Sequence, residues 1–201
     1  MVAIEPGELH NAAECGDLDT VRRLLASGAD PNEPESGVLA EMGWSPLMFA
    51  ARHTAVVRLL LEAGADATFA TRHGESVVMT VARLGSGEGL DALYGAGADL
   101  HQADQLGDNA LMEAAGAGNQ ETVEFLLQHG LPIDGTTVSG ATALMAAARR
   151  GRIHTVELLV RAGADPNRRI QRGKAAGRTA LDLAEEEGHQ DVVAFLRRVV
   201  T

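Results

Sequence analysis

Asn109-Ala110-Leu111-Met112-Glu113-Ala114-Ala115 and Thr142-Ala143-Leu144-Met145-Ala146-Ala147-Ala148 are one phrase written twice, 33 residues apart. The segment that follows recurs at the same distance: Thr122-Val123-Glu124-Phe125-Leu126-Leu127 is matched by Thr155-Val156-Glu157-Leu158-Leu159-Val160. A fixed period of this size marks one supersecondary unit stacked on copies of itself, because a single unit cannot bury its apolar face alone. The rest of the chain is therefore a search for further copies.

They are found on both sides. Gly43-Trp44-Ser45-Pro46-Leu47-Met48-Phe49-Ala50-Ala51 carries the first half of the phrase, and Gly163-Ala164-Asp165-Pro166-Asn167 its end. Gly-Ala-Asp triplets begin at Gly28, Gly64, Gly97 and Gly163, and the register predicts another at Gly130, where Gly-Leu-Pro stands. In this combination the residues resemble the ankyrin-repeat family, whose unit reads Gly-x-Thr-Pro-Leu-His-x-Ala-Ala, a glycine-rich turn, Val-Val-x-Leu-Leu-Leu and Gly-Ala-Asp-x-Asn. The resemblance implies a mainly α fold: a solenoid of about six helix-turn-helix repeats with β-hairpin-like loops. It forms one domain over 1–201, with repeats at about 7–37, 38–70, 71–103, 104–136, 137–170 and 171–201.

Each first helix is expected to start on a capping side chain, at Ser45, Ser76, Asn109, Thr142 and Thr179, which can accept the free N–H groups of the first turn. Leu47, Val78, Leu111, Leu144 and Leu181 follow as core, and paired alanines such as Ala114-Ala115 allow neighbouring repeats to approach closely. Three departures stand out. An insert over 33–42 lengthens the first loop, and only four residues separate Ala51 from Val56 where the regular repeats have six, so repeat 2 has a tightened turn. Repeat 3 carries Gly85-Ser86-Gly87-Glu88-Gly89, an interhelical turn running into a glycine-bearing helix, and it is expected to be the softest unit. The histidine that the family places after Leu survives as His10, with Met48, Met79, Met112 and Met145 in the middle repeats and Asp182 in the last; a thioether fills space but supplies no polar link, so a less rigid stack is expected.

Composition sets the class of protein. Hydrophobic residues make up 45% of the 201 but aromatics 3%, so the core must be built of small aliphatic side chains. The apolar runs are too short to cross a membrane, and Met1-Val2-Ala3-Ile4-Glu5-Pro6 lacks the basic start of a secretory signal, which makes the cytoplasm the expected location. Cys15 stands alone and cannot form an intrachain disulfide. The net charge of −11 argues against non-specific attachment to nucleic acid or anionic lipid.

No chemistry is legible. His10, His53, His73, His101, His129, His154 and His189 are scattered without zinc-ligand spacing, the repeated methionines are core rather than a soft-metal path, and no nucleophile elbow appears. Neither an enzymatic activity nor a cofactor is expected. The resemblance places Asn32 and Asn167 at positions whose asparagines are hydroxylated in some family members, which would make the chain a substrate.

The resemblance implies a concave surface of finger tips and inner helices that binds another protein. The register places Trp44, Arg72, His73, Leu106 and Arg178 at the tips, and Phe49, Arg52, His53, Arg83, Arg149 and Arg150 on the inner helices, with Trp44 as an exposed anchor. Arg52, Arg72, Arg83, Arg149, Arg150 and Arg178 are six of the chain's 17 basic residues, so the strip is positive in an acidic protein. A partner with an acidic or mixed-charge segment is expected, bound by a monomer. The alternatives are recognition of an anionic polymer such as nucleic acid, aided by the basic insert at 168–174, and a structural spacer with no partner of its own.

Overall fold

Ser76, Asn109, Thr142 and Thr179 open their helices by one device: the side-chain oxygen accepts the backbone N–H three residues on, at 3.2, 3.1, 3.3 and 3.2 Å. Ser45 departs from it. Pro46 stands at the first helical position, and the Ser45 hydroxyl makes no capping bond; the backbone carbonyl of Ser45 accepts from Met48 instead, at 2.9 Å. A computed structural model of the chain describes residues 7–33 and 43–200. The insert expected at 33–42 lies outside them except for Glu33.

The chain divides into two compact units, Met1–Asp99 and Leu100–Thr201. The first contains α1 (Glu8–Cys15), α2 (Leu18–Ala26), α3 (Pro46–Phe49) continued by a 3-10 turn at Ala50–Arg52, α4 (Thr54–Glu62), α5 (Val77–Leu84) and α6 (Gly87–Gly95). Within it α1 packs on α3 and α3 on α5, while α2 packs on α4 and α4 on α6, giving two helical layers. The second unit contains α7 (Ala110–Ala117), α8 (Gln120–Gln128), α9 (Ala143–Arg149), α10 (Ile153–Arg161), α11 (Ala180–Glu186) and α12 (Gln190–Val199). It repeats the arrangement, with α7, α9 and α11 in one layer and α8, α10 and α12 in the other. No strand occurs among the described residues. The loops retain hairpin character in two isolated antiparallel bridges, Ala70 with Ser76 and Ala103 with Asn109.

The core is aliphatic, as composition requires. Leu9, Leu47, Leu60 and Leu90 are fully buried in the first unit, and Leu111, Leu126, Leu144 and Leu159 in the second. Small residues let the helices close in: Ala114, Ala115, Ala147 and Ala148 are also inaccessible, where α7 packs on α9. Leu181 differs from the expectation, since its side chain is only half-buried.

Helix ends follow from the Gly-Ala-Asp phrase. Gly28, Gly64, Gly97 and Gly163 take φ between 92° and 100°, a left-handed conformation that lets the next amide bond back to the last turn. Gly130 does the same at φ 83°, and Leu131 replaces alanine in the buried position behind it. The altered triplet thus keeps its register. The aspartates that follow accept the N–H two residues on: Asp30 from Asn32, Asp66 from Thr68 and Asp165 from Asn167, each at 2.9 Å.

Repeat 2 shows the tightened turn as a four-residue helix with a 3-10 extension. The glycine cluster of repeat 3 is a helix start, with Ser86 capping α6 through Gly89 at 3.3 Å. Its glycines have steric reasons. A Cβ on Gly85 would lie 2.3 Å from the Ala51 carbonyl oxygen, and one on Gly89 would lie 3.0 Å from Val81 Cγ1.

Candidate functional site

Methionine in place of the inter-repeat histidine leaves a polar link to be made elsewhere, and the turns between helices make it. His53 Nε2 lies 3.0 Å from the Glu14 carbonyl oxygen, and His189 Nε2 lies 3.0 Å from that of Arg149; each carbonyl must accept, so each ring carries its proton on Nε2. Arg152 Nε donates to the Gly116 carbonyl at 3.2 Å. Asn32 joins two loops, with its amide oxygen accepting from Asp66 at 2.8 Å and its nitrogen donating to Gly64 at 3.0 Å. Polar links between repeats are thus supplied by His53, His189 and Arg152, which the motif does not mark, and by Asn32, the motif's own asparagine. His53, expected on the binding strip, is engaged in such a link.

In the first unit three expected site residues, Trp44, Phe49 and Arg83, come together with Glu75 and His10. Trp44 is half-buried rather than exposed. Its indole N–H donates to Glu75 Oε2 at 3.3 Å, Phe49 meets the ring edge-on at 5.5 Å, and the Arg83 guanidinium lies 6.0 Å from its centre. Arg83 is itself committed to Glu75, at 2.6 Å. His10 completes the aromatic row, 5.4 Å from Phe49 at right angles. The anchor expected at the tip is thus a structured cluster, because the loop before α5 brings a carboxylate within reach of the indole. Arg52, Arg72 and His73 are exposed.

In the second unit Leu106, an expected tip residue, and Arg149, expected on an inner helix, line a cavity of about 430 Å³. Leu106 and Val138, both well exposed, stand on adjacent loops, and Met112, Met145 and Leu183 come from the three inner helices. Backbone bonds tie the wall together: Val138 N–H donates to the Leu106 carbonyl at 2.8 Å, and Ser139 accepts from Gln171 at 2.8 Å and from Arg172 at 3.1 Å. The insert at 168–174 is thereby one side of the cavity. Ile170 and Arg172 line it, and Ile170 is buried. Met145 and Met112, expected as core, serve as its floor as well.

Charge around the cavity is uneven. Arg149 and Arg172 line it and are exposed, while Asp108 lines it half-buried. Burial pushes the Asp108 carboxyl above its ordinary range and Asp104 adds to the rise, with Arg149 and Arg150 opposing it. Arg150 is exposed and its guanidinium lies over Gly116. Arg178 is turned away to other work, donating to the Lys174 carbonyl at 2.8 Å and pairing with Glu186. The insert at 168–174 was expected only as an aid to an anionic polymer, and neither the cavity nor a role for Arg172 in lining it was expected, since the insert has no counterpart in the other repeats. Among the described residues no group of three or more His, Cys, Asp or Glu could hold a metal ion, and no helix is long and apolar enough to cross a membrane.

Comparison with known proteins agrees with this architecture. The sequence profile for ankyrin repeats (3 copies) matches residues 9–104 and 78–170. The crystal structure of the human ASB11 ankyrin repeat domain is similar to this chain at a TM-score of 0.78 and 26% sequence identity, covering 96% of this chain and 83% of that one. No curated protein matches the sequence at a significant level.

Proposed function

The chain belongs to the ankyrin-repeat family, and on that premise we propose that it is a non-enzymatic module whose finger tips and inner helices bind a partner protein through an acidic or mixed-charge segment. Ankyrin repeats are in general protein-protein interaction modules. The observation that supports the finer reading is the state of the arginines. Arg52, Arg149 and Arg150 are exposed and make no ion pair among the described residues, in a chain of net charge −11 with 28 acidic residues available. Arginines held for stability alone would be expected to sit like Arg83 and Arg178, each beside a glutamate. A guanidinium that is not engaged in an ion pair is ready for a bidentate contact from outside.

The basic insert at 168–174 favours the second reading, recognition of an anionic polymer, because Arg168, Arg169, Arg172 and Lys174 are all exposed. Salt separates the two. Affinity for a phosphate polymer falls steeply with salt as counterions are released, whereas a few desolvated carboxylate pairs give a shallow slope.

The test is capture of partners by the full chain followed by charge reversal. Arg52→Glu with Arg149→Glu should weaken binding of the captured protein by about tenfold or more, as expected for desolvated pairs. Arg22→Glu with Arg23→Glu, on the exposed face of α2, should leave it unchanged. If the control pair matters more in protein that circular dichroism shows to be folded, the assigned face is wrong.

A further inference from the structure

Resting on the reading of the chain as a protein-binding module, we propose that the cavity of the second unit is a built anchor pocket for one short peptide segment of the partner, in which a bulky apolar side chain is followed closely by an Asp or Glu. Its size fits such an occupant. At about 430 Å³ it falls within the range of about 300–1,000 Å³ that holds ligands of drug-like size, enough for a few residues and too much for a lone water.

The chemistry of the wall selects what enters. The floor is thioether and aliphatic, Met112 and Met145 with Leu183, and the flexible thioether adapts to side chains of different shape. Leu106 and Val138 project at the mouth with most of their surface in water, so an apolar side chain lying between them removes area already exposed at both. Two cations, Arg149 and Arg172, line the cavity against one carboxylate, Asp108, and neither arginine has an ion-pair partner among the described residues. The imbalance favours an incoming anion over a cation. Arg149 already offsets the charge of Asp108, so Arg172 is the side chain expected to receive the carboxylate.

The pocket is also preformed. The bonds of Val138 to Leu106, of Gln171 and Arg172 to Ser139, and of Ile170 to Arg178 at 2.9 Å hold its rim from three successive loops. Gly140 is needed for the closure: at φ 89° its missing Cβ would lie 3.0 Å from Gln171. A rim fixed before binding spares the ordering entropy that a loose loop would lose.

The experiment is selection of a random dodecapeptide library, displayed on phage, against the immobilised full chain, followed by affinities for the enriched peptides. The expected result is a shared pattern of one large apolar residue beside Asp or Glu. Binding should fall about tenfold or more in Ala146→Phe, which fills the cavity, and in Arg172→Glu, which reverses the lining charge. Ala146 and Arg172 both lie at the cavity surface with accessible side chains, and circular dichroism checks that each variant is folded. Enrichment of basic or featureless peptides, no enrichment over a bait-free control, or equal binding to the Ala146→Phe chain would each overturn the pocket. So would concentration-dependent self-association abolished by Ala146→Phe, which would make a second copy the occupant. Acidic peptides that bind through Arg52 and ignore Ala146→Phe would sink the pocket while leaving the module reading intact. A chain that captures no protein and enriches no peptide would sink both.

Discussion

Asp182 occupies the position held by Met48, Met79, Met112 and Met145 in the middle repeats and by His10 in the first. Its carboxylate accepts the Thr179 backbone N–H at 2.7 Å and the Thr179 hydroxyl at 2.8 Å, while Thr179 Oγ1 accepts the Asp182 N–H, a complete capping box. Those bonds hold the Asp182 carboxyl below the usual carboxylate range. A carboxyl with a depressed folded value adds stability that is present above its unfolded value, near 3.9, and is lost as pH falls through the folded one. Asp182→Ala should therefore cost about 1 kcal/mol in urea unfolding at neutral pH, and the gap from the parent should narrow below about pH 4. An unchanged gap on acidification would mean that Asp182 acts by packing alone.

At the scale of the element, the turns between helices decide how repeats are joined. Gly151 has φ 66°, and a Cβ there would lie 2.5 Å from His189 Nδ1; Gly16 stands in the same relation to His53. The glycine and the ring form one device, in which the bare turn admits the imidazole that bonds the Arg149 carbonyl. Gly151→Ala should cost about 1–2 kcal/mol in a His189→Ala background, from left-handed strain alone. In the parent it should cost about 1–3 kcal/mol more, from the clash with the ring. Chemical denaturation of the four members of the cycle measures the difference, and additive effects would show that ring and turn are independent.

At the scale of the molecule, the repeats are unequal. The second helix of repeat 3 holds Gly89 in its interior, where it is less favourable than alanine by about 1 kcal/mol, and it begins and ends on Gly87 and Gly95. Against that, Val77 to Ala82 are all buried, and Gly85 and Gly89 sit where a methyl group would collide. Glycine at three of its nine positions leaves this helix fewer side chains to pack than its counterparts, so repeat 3 should open first. Amide exchange should be faster over residues 76–96 than over 142–161. Equal protection would mean that the glycines recover in packing what they lose in propensity.

The 33-residue spacing from Asn109 to Thr142, the caps and the Gly-Ala-Asp ends were enough to read helices, register and core from sequence, because each follows from neighbours within one repeat. Gly130-Leu131 held its place for the same reason: the backbone needs a left-handed residue there and a buried apolar one behind it. What depends on two repeats at once was not legible. Trp44 looked free until Glu75 and Phe49 were placed around it, and His53 looked like surface until Glu14 stood opposite. The cavity is the extreme case, since Leu106, Val138 and Arg172 belong to three loops that meet through backbone bonds no side-chain pattern encodes. Periodicity determined the unit because the unit is local; the contacts between copies, where the candidate site lies, were decided by the tertiary structure.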